Sequence, residues 1–254
     1  MKNFRHSARP KKSSLVIGRK AVTDALRDDR QLDRIYLDTR AQGADIQEIK
    51  KLAVQRAVPV NYVPVAKLDG FNISGHEGVV AQIARVQYQN LQDVISLVTE
   101  SGEPPLFLIL DGITDIRNIG GIARTAYCTG VQALIIPDKG VGALNEDAIL
   151  TSAGALERLA VCRVNSLMKA VDELHLNGII VYATDMQDAK PVAEADLRLP
   201  CAIVMGSEEK GIYPALLKIC DEKIRIPMKG DFESLNVSVA AGIILYEAMK
   251  QRMS

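Results

Sequence analysis

Three short stretches carry residue types that can hold a ligand and act on it. The first is Asp115-Ile116-Arg117-Asn118-Ile119-Gly120-Gly121-Ile122-Ala123-Arg124, which follows an apolar run and opens a helix. Its small residues would let a ligand's backbone approach closely, and it offers the amide of Asn118 and the permanent positive charge of Arg124. The second is Gly206-Ser207-Glu208-Glu209-Lys210-Gly211, where a strand empties into a glycine turn with a carboxylate, Glu208, two residues on. Such a turn can hold a nucleoside. The third runs from Ile226 through Met228 and the turn residues Gly230 and Asp231 to Ser234-Leu235-Asn236, the opening of the last helix. A strand, a polar loop and a helix start in succession place backbone N–H groups at the carboxyl end of a sheet, where open α/β folds bind ligands.

The elements around these stretches follow from periodicity. Continuous apolar runs at 106–110, 133–137, 178–184, 201–205 and 224–228 predict buried parallel strands. Helical patterns fall at 116–130, 145–156, 166–177 and 237–249, the last so apolar that it predicts a helix buried on most sides. Strands alternating with helices predict a parallel sheet covered on both faces. The polar stretch 185–196 reads as a loop or short helix without chemistry. Ahead of this domain, runs at 15–17, 34–37, 60–63 and 79–83 predict strands, and 19–27 and 44–56 predict helices, in a small α/β unit at 14–85. Gly102, Pro104 and Pro105 break regular structure, so 86–105 is expected to be a linker around a charged amphipathic segment at 91–99, with the second domain at 106–254.

Composition excludes several classes. The 254 residues suffice for one large or two modest domains, with 48% apolar and 24% charged residues and no 18-residue apolar run, so a soluble intracellular, cytoplasmic protein is expected, with no membrane span. Four scattered cysteines and three histidines form no C-x-x-C pair, so no metal is expected and the thiols read as buried, reduced and apolar. Net charge is zero, yet seven lysines and arginines precede the first acid, Asp24, leaving −7 on the rest. A flexible basic arm at 1–13 is either a solvated tail or a source of non-specific affinity for RNA phosphates.

The three stretches, in this order, resemble the three motifs of the SpoU family of RNA ribose 2′-O-methyltransferases. Asn118-x-Gly120 with Arg124 four residues later matches the first, Gly206 with Glu208 the second, and the stretch from Ile226 through Ser234, Leu235 and Asn236 the third. Gly75-His76-Glu77-Gly78-Val79-Val80-Ala81 is similar to that family's L30e-like RNA-binding domain. His76 there is either an RNA contact or a turn residue whose ring caps local backbone. Two positions depart from the pattern: Ile116 stands where proline is common and Glu209 where glycine is common.

The resemblance implies an α/β fold whose C-terminal domain carries a trefoil knot, a homodimer, and S-adenosylmethionine as the methyl donor. It implies that Gly206, Ile226, Met228 and Leu235 bind the donor, while Asn118, Arg124, Glu208, Ser234 and Asn236 surround the acceptor ribose. In the family Arg124 is the proposed base. A guanidinium stays protonated in proteins, so Arg124 is better suited to hold a phosphate and stabilise the developing alkoxide, and the proton acceptor stays open. The nearest likeness is to members that methylate a guanosine ribose in large-subunit ribosomal RNA. A transfer-RNA ribose methyltransferase and a non-catalytic RNA-binding or ribosome-assembly factor are the alternatives. A nicotinamide enzyme would need G-x-G-x-x-G at Gly120, which is absent, although Asp138 could mimic the ribose-binding acid.

Overall fold

A strand covered on both faces has no side that can be polar, and the run Leu106-Phe107-Leu108-Ile109-Leu110 is buried at every position. The computed structural model describes residues 14–28, 30–142, 144–230 and 234–253. The basic arm at 1–13 and the expected turn residue Asp231 lie outside the described residues. The chain divides into two units between Ala84 and Arg85.

In the first unit, β1 (Leu15–Ile17), α1 (Arg19–Arg27), β2 (Leu32–Asp38), α2 (Ala44–Gln55), β3 (Val60–Val63), α3 (Val65–Asp69) and β4 (Val79–Ile83) follow in order. The sheet order is β1-β4-β2-β3, with β2 and β3 parallel and β4 antiparallel to both its neighbours. Val22 and Leu26 of α1 and Ile46 and Ile49 of α2 pack with Ile35 and Leu37 on one face, and Leu68, Ile73 and Val80 form a small cluster on the other. His76 is a turn residue: its Nδ1 accepts the Gly78 N–H at 3.1 Å and its Nε2 lies 3.0 Å from Asp69 Oδ1. An accepting Nδ1 places the proton of the neutral ring on Nε2, so Nε2 donates to Asp69.

The second unit contains β5 (Tyr88–Gln89), α4 (Leu91–Glu100), β6 (Leu106–Leu110), α5 (Ile116–Cys128), β7 (Ala133–Pro137), α6 (Glu146–Thr151), β8 (Ala160–Val164), α7 (Leu167–Leu176), β9 (Ile180–Thr184), β10 (Lys190–Pro191), β11 (Cys201–Met205), α8 (Pro214–Leu217), β12 (Glu222–Arg225) and α9 (Val237–Arg252). Its sheet runs β10-β12-β9-β11-β6-β7-β8-β5, with every pairing parallel. The two-residue alternation of β6 sends Leu106, Leu108 and Leu110 toward α5 and α9, and Phe107 and Ile109 toward α4 and α7. Each such side chain contributes about 1.5–3 kcal/mol by leaving water.

Several expectations are corrected. Residues 86–105 are not a linker: β5 pairs with β8, and Leu91, Val94, Ile95 and Val98 of α4 are buried against the sheet. An apolar stripe that covers a sheet face has more to gain from docking than from hanging free, whatever Gly102 and the prolines do after it. The strand at β8 went unforeseen because Arg163 interrupts its apolar run; the guanidinium carbon lies 3.8 Å from the centre of the Tyr88 ring. The helix foreseen at 145–156 is broken after α6, where Ala153 and Gly154 have positive φ. The last helix buries one face only, through Val237, Ala241, Ile244, Leu245 and Ala248, while Val239, Ile243 and Tyr246 are exposed. Of the four cysteines, Cys162 and Cys201 are buried as expected, whereas Cys128 is exposed.

The far end of α9 is pinned by Arg252. Its Nε donates to the carbonyl of Leu197, and its other nitrogens to those of Pro104, Pro105 and Leu199, at 2.5–2.9 Å. The helix is therefore fixed at its end as well as along its buried face, and its start is held at the carboxyl edge of the sheet.

Candidate active site

The strands β9, β11 and β12 are parallel neighbours, so the loops that leave them emerge at one edge. Between these loops and the start of α9 lies a cleft of about 670 Å³, lined by Gly206 and Glu208 after β11, by Ile226, Met228 and Gly230 after β12, and by Ser234 and Leu235 before α9. Met205, Ile224, Ala240 and Ile244 add apolar surface. The strand predicted at 224–228 ends instead at Arg225, because pairing with β9 and β10 stops there and Pro227 has no N–H to continue a ladder. Ile226 and Met228 are thereby released into the cleft wall.

Gly206 is fixed by packing. The loop after it closes through Ser207 N–H to Gly211 C=O at 3.1 Å and Gly211 N–H to Ser207 C=O at 2.8 Å, and a Cβ on Gly206 would stand 2.2 Å from the Gly211 carbonyl carbon. The left-handed backbone falls on Gly211 and not on Glu209, so the glutamate that departs from the family pattern sits in an ordinary conformation. Ile116 is the first residue of α5 after its cap Asp115, a position where proline and isoleucine both fit.

Asn118, Glu208 and Asn236 come from three separate elements and meet. Glu208 Oε1 accepts from Asn118 Nδ2 at 3.3 Å, from Asn236 Nδ2 at 2.7 Å and from the Val237 N–H at 3.0 Å. Asn236 Nδ2 is also 3.0 Å from Asn118 Oδ1. Asn236 has a second task as the cap of α9, its Oδ1 accepting from the N–H groups of Ser238 and Val239. One carboxylate oxygen is thus occupied by three donors, and Glu208 Oε2 has no partner among the described residues.

Arg124 does not join this group. It is exposed on α5 and is absent from the lining of the cleft. The glycines of the first motif also do other work than expected. A Cβ on Gly120 would lie 2.6 Å from Thr151 Cβ, and one on Gly121 would lie 3.4 Å from Ser238 Cβ. They let α5 approach α6 and α9, and it is this approach that carries Asn118 to Asn236.

The sequence reading missed Thr184, Asp185, Met186 and Gln187, which line the cleft from the end of β9. The signal for them was positional: β9 is a predicted parallel strand, and its carboxyl end had to open at the ligand edge. Although partial burial opposes it, the Gln187 N–H and the Lys223 ammonium hold the Asp185 carboxyl below its usual range. Asp185 is therefore ionised in the cleft wall, paired with Lys223 at 3.1 Å, and Arg225 lines the same cleft.

A second cleft of about 670 Å³ adjoins the first. Ser207, Glu208, Gly211 and Val237 line both and form the partition between them. Asn118, Asp111, Glu209 and Tyr213 belong to the second cleft alone.

Comparison with known proteins fits this geometry. The family model described as the SpoU rRNA methylase family matches residues 105–246, and the one described as RNA 2′-O ribose methyltransferase substrate binding matches residues 15–89. YacO of Bacillus subtilis, named for the TrmH family of tRNA/rRNA methyltransferases, is 37% identical over 93% of this chain and 95% of its own. A Staphylococcus aureus protein named for the same family is 36% identical over 94% of this chain and 96% of its own. Among solved structures, the SpoU methyltransferase AviRb from Streptomyces viridochromogenes, in complex with the cofactor AdoMet, aligns with a TM-score of 0.59 and 26% identity over 94% of this chain and 90% of that one. The A. aeolicus TrmH/SpoU tRNA modifying enzyme aligns with a TM-score of 0.53 and 30% identity over 64% of this chain and 84% of its own.

Proposed function

The chain belongs to the SpoU rRNA methylase family, and from that premise we propose that it methylates the ribose 2′-hydroxyl of a guanosine in large-subunit ribosomal RNA. It is an S-adenosylmethionine-dependent RNA methyltransferase. What carries the methyl-transfer reading is the carboxylate of Glu208, which stands in the partition of the two clefts with one oxygen held by three donors and the other without a partner among the described residues, while the ribosomal guanosine rests on the family likeness.

The first cleft fits the donor. Its apolar walls, Ile226, Leu235 and Ile244 among them, suit a purine, and the backbone around Gly206 and Met228 offers polar contacts. Bound there, S-adenosylmethionine supplies a methyl group on a positively charged sulfur. Asn118, Asn236 and the Val237 N–H hold Glu208 in one orientation, so that Oε2 can accept the proton of a 2′-hydroxyl as the oxygen becomes nucleophilic. Ser234, which lines the first cleft, is assigned to hydrogen-bond the same hydroxyl. Arg124, exposed on α5, meets the phosphate next to the target ribose and offsets developing negative charge without taking a proton.

The same reading includes the trefoil knot and a homodimer in the cytoplasm. The exposed apolar residues Val239, Ile243 and Tyr246 recur at helical spacing along α9 and support a dimer through that helix. Among the described residues no helix is long and apolar enough to cross a membrane. A transfer-RNA target is the second reading, supported by the likeness to the A. aeolicus tRNA modifying enzyme. Mapping 2′-O-methyl groups on total RNA from a strain lacking the protein tests both: loss at a guanosine of large-subunit ribosomal RNA supports the first, and loss only in transfer RNA supports the second.

A further inference from the structure

The loop that carries Glu208 leaves β11 at Gly206 and returns to the core at Ile212, which is buried, while Glu208, Glu209, Lys210 and Gly211 between them are all exposed. A loop that buries so little takes its position from hydrogen bonds rather than from packing. Its internal bonds, between Ser207 and Gly211 and from the Lys210 N–H to Ser207 Oγ at 3.2 Å, fix its shape. They leave its direction relative to the sheet open. That direction is set from the neighbouring strand, where one residue holds the loop at both ends. The Asp111 N–H, at the end of β6, donates to the Met205 carbonyl at 2.9 Å just before the loop. Asp111 Oδ2 accepts the Tyr213 N–H at 2.6 Å just after it, a bond strengthened by the charge of the acceptor. The chain then turns at Gly112, left-handed with φ 69°, and passes beside the root of the loop, where a Cβ on Gly112 would lie 3.7 Å from Ser207 Cβ.

We propose that Asp111 is a positioning residue for methyl transfer: its carboxylate holds the exit of the loop so that Glu208 Oε2 stands where it meets the acceptor hydroxyl. The inference rests on the methyl-transfer reading, with Glu208 as the proton acceptor. Glu208 is then gripped twice, at its carboxylate by Asn118, Asn236 and the Val237 N–H, and through its backbone by Asp111. Both grips are needed, because donors on α5 and α9 can orient a carboxylate only if the loop delivers it to them. Asp111 itself takes no proton. What the geometry asks of it is one acceptor oxygen aimed at one N–H, which an asparagine can supply and an alanine cannot. Small movements suffice for a large effect, since displacing a catalytic group by about 1 Å can cost on the order of 10²-fold in rate.

Single-turnover methyl transfer to RNA from cells lacking the protein, with donor affinity measured by calorimetry on the same preparations, tests this on the full chain. Asp111→Ala should slow transfer by roughly 10-fold or more. Donor affinity should stay within a few-fold, because Gly206 is held by its own packing against Gly211. Asp111→Asn should recover most of the rate. Tyr213→Pro approaches the same bond from its other side: φ at Tyr213 is −55°, which a proline ring adopts, so the change removes the N–H that Asp111 holds. It should match Asp111→Ala, whereas Tyr213→Ala, which keeps the N–H, should not, and this pair decides the matter if Asp111→Ala fails to fold. Added to Glu208→Gln, Asp111→Ala should slow transfer little further, because two changes that act through one carboxylate do not sum. A residue that only stabilises the fold would slow both backgrounds by the same factor. Equal slowing in both, or Asp111→Asn as slow as Asp111→Ala, overturns the inference and leaves the methyl-transfer reading standing. No transfer by the wild type, or full activity of Glu208→Gln, overturns that reading and this inference with it.

Discussion

Asn236 Nδ2 donates to Glu208 Oε1 at 2.7 Å, tying the cap of α9 to the loop after β11 across 28 residues of chain. The bond makes the helix start and the carboxylate a single rigid piece, and Asn118 completes it from α5. The carboxylate's orientation is set by amide donors that are not themselves reactive.

Glu208→Gln should therefore separate structure from chemistry. The amide keeps an oxygen for the Val237 N–H but loses the negative charge and half of the accepting capacity. Turnover on RNA should fall by roughly 10²-fold or more, the scale of a lost general base, with the melting temperature little changed. Single-turnover methyl transfer beside a thermal melt gives the answer, and full activity in the variant would remove Glu208 from proton transfer.

Arg124→Ala should leave donor affinity within a few-fold and cut turnover by roughly 10²-fold or more. Its exposure on α5, outside the lining of the cleft proposed for the donor, is the reason the two effects should part. Arg124→Lys should restore little, because an ammonium lacks the planar fork that grips phosphate. Calorimetry with S-adenosylmethionine and rate measurements on one preparation decide it; parallel loss of both would place Arg124 in the donor site.

Gly206→Ala should abolish donor binding. The added methyl would stand 2.2 Å from the Gly211 carbonyl carbon, so the loop must open and its hydrogen bonds to Ser207 must give way. The overpacking should cost about 1–3 kcal/mol of stability, measurable by urea titration. A variant with normal donor affinity would show that the closed loop is not required.

Tyr246→Glu together with Ile243→Glu should convert a dimer to a monomer without unfolding the chain. Both side chains are exposed, at 59% and 40%, and neither is part of the buried face of α9. Sedimentation at micromolar concentration should show half the mass, and a wild-type protein already monomeric there would refute the dimer.

Much was legible in the sequence because it is local. The alternating apolar runs reproduced most strands of both sheets, since a buried parallel strand must be apolar throughout, and β6 and β11 are buried at every residue. The three loops of the site were found because chemistry at a strand end needs glycine, amide and carboxylate in short compass.

What the tertiary structure decided is which residues face one another. No spacing could reveal that Gly120 and Gly121 serve helix packing, because the atoms they admit, Thr151 and Ser238, are far away in the chain. The end of β9 was legible as a strand end at the ligand edge, but that 184–187 lines the same cleft as Gly206 and Ile226 follows from β9 lying between β11 and β12 in the sheet. The segment at 88–89 looked like a tether until pairing with β8 made it the edge of the sheet. Sequence fixes the pattern along each element through local sterics and hydrophobic period, whereas strand order and helix contacts arise from burial summed over distant segments. Asn118, Glu208 and Asn236 were each visible as polar residues at a loop; that they form one cluster was decided by the packing of α5 against α9 and the order of the strands beneath them.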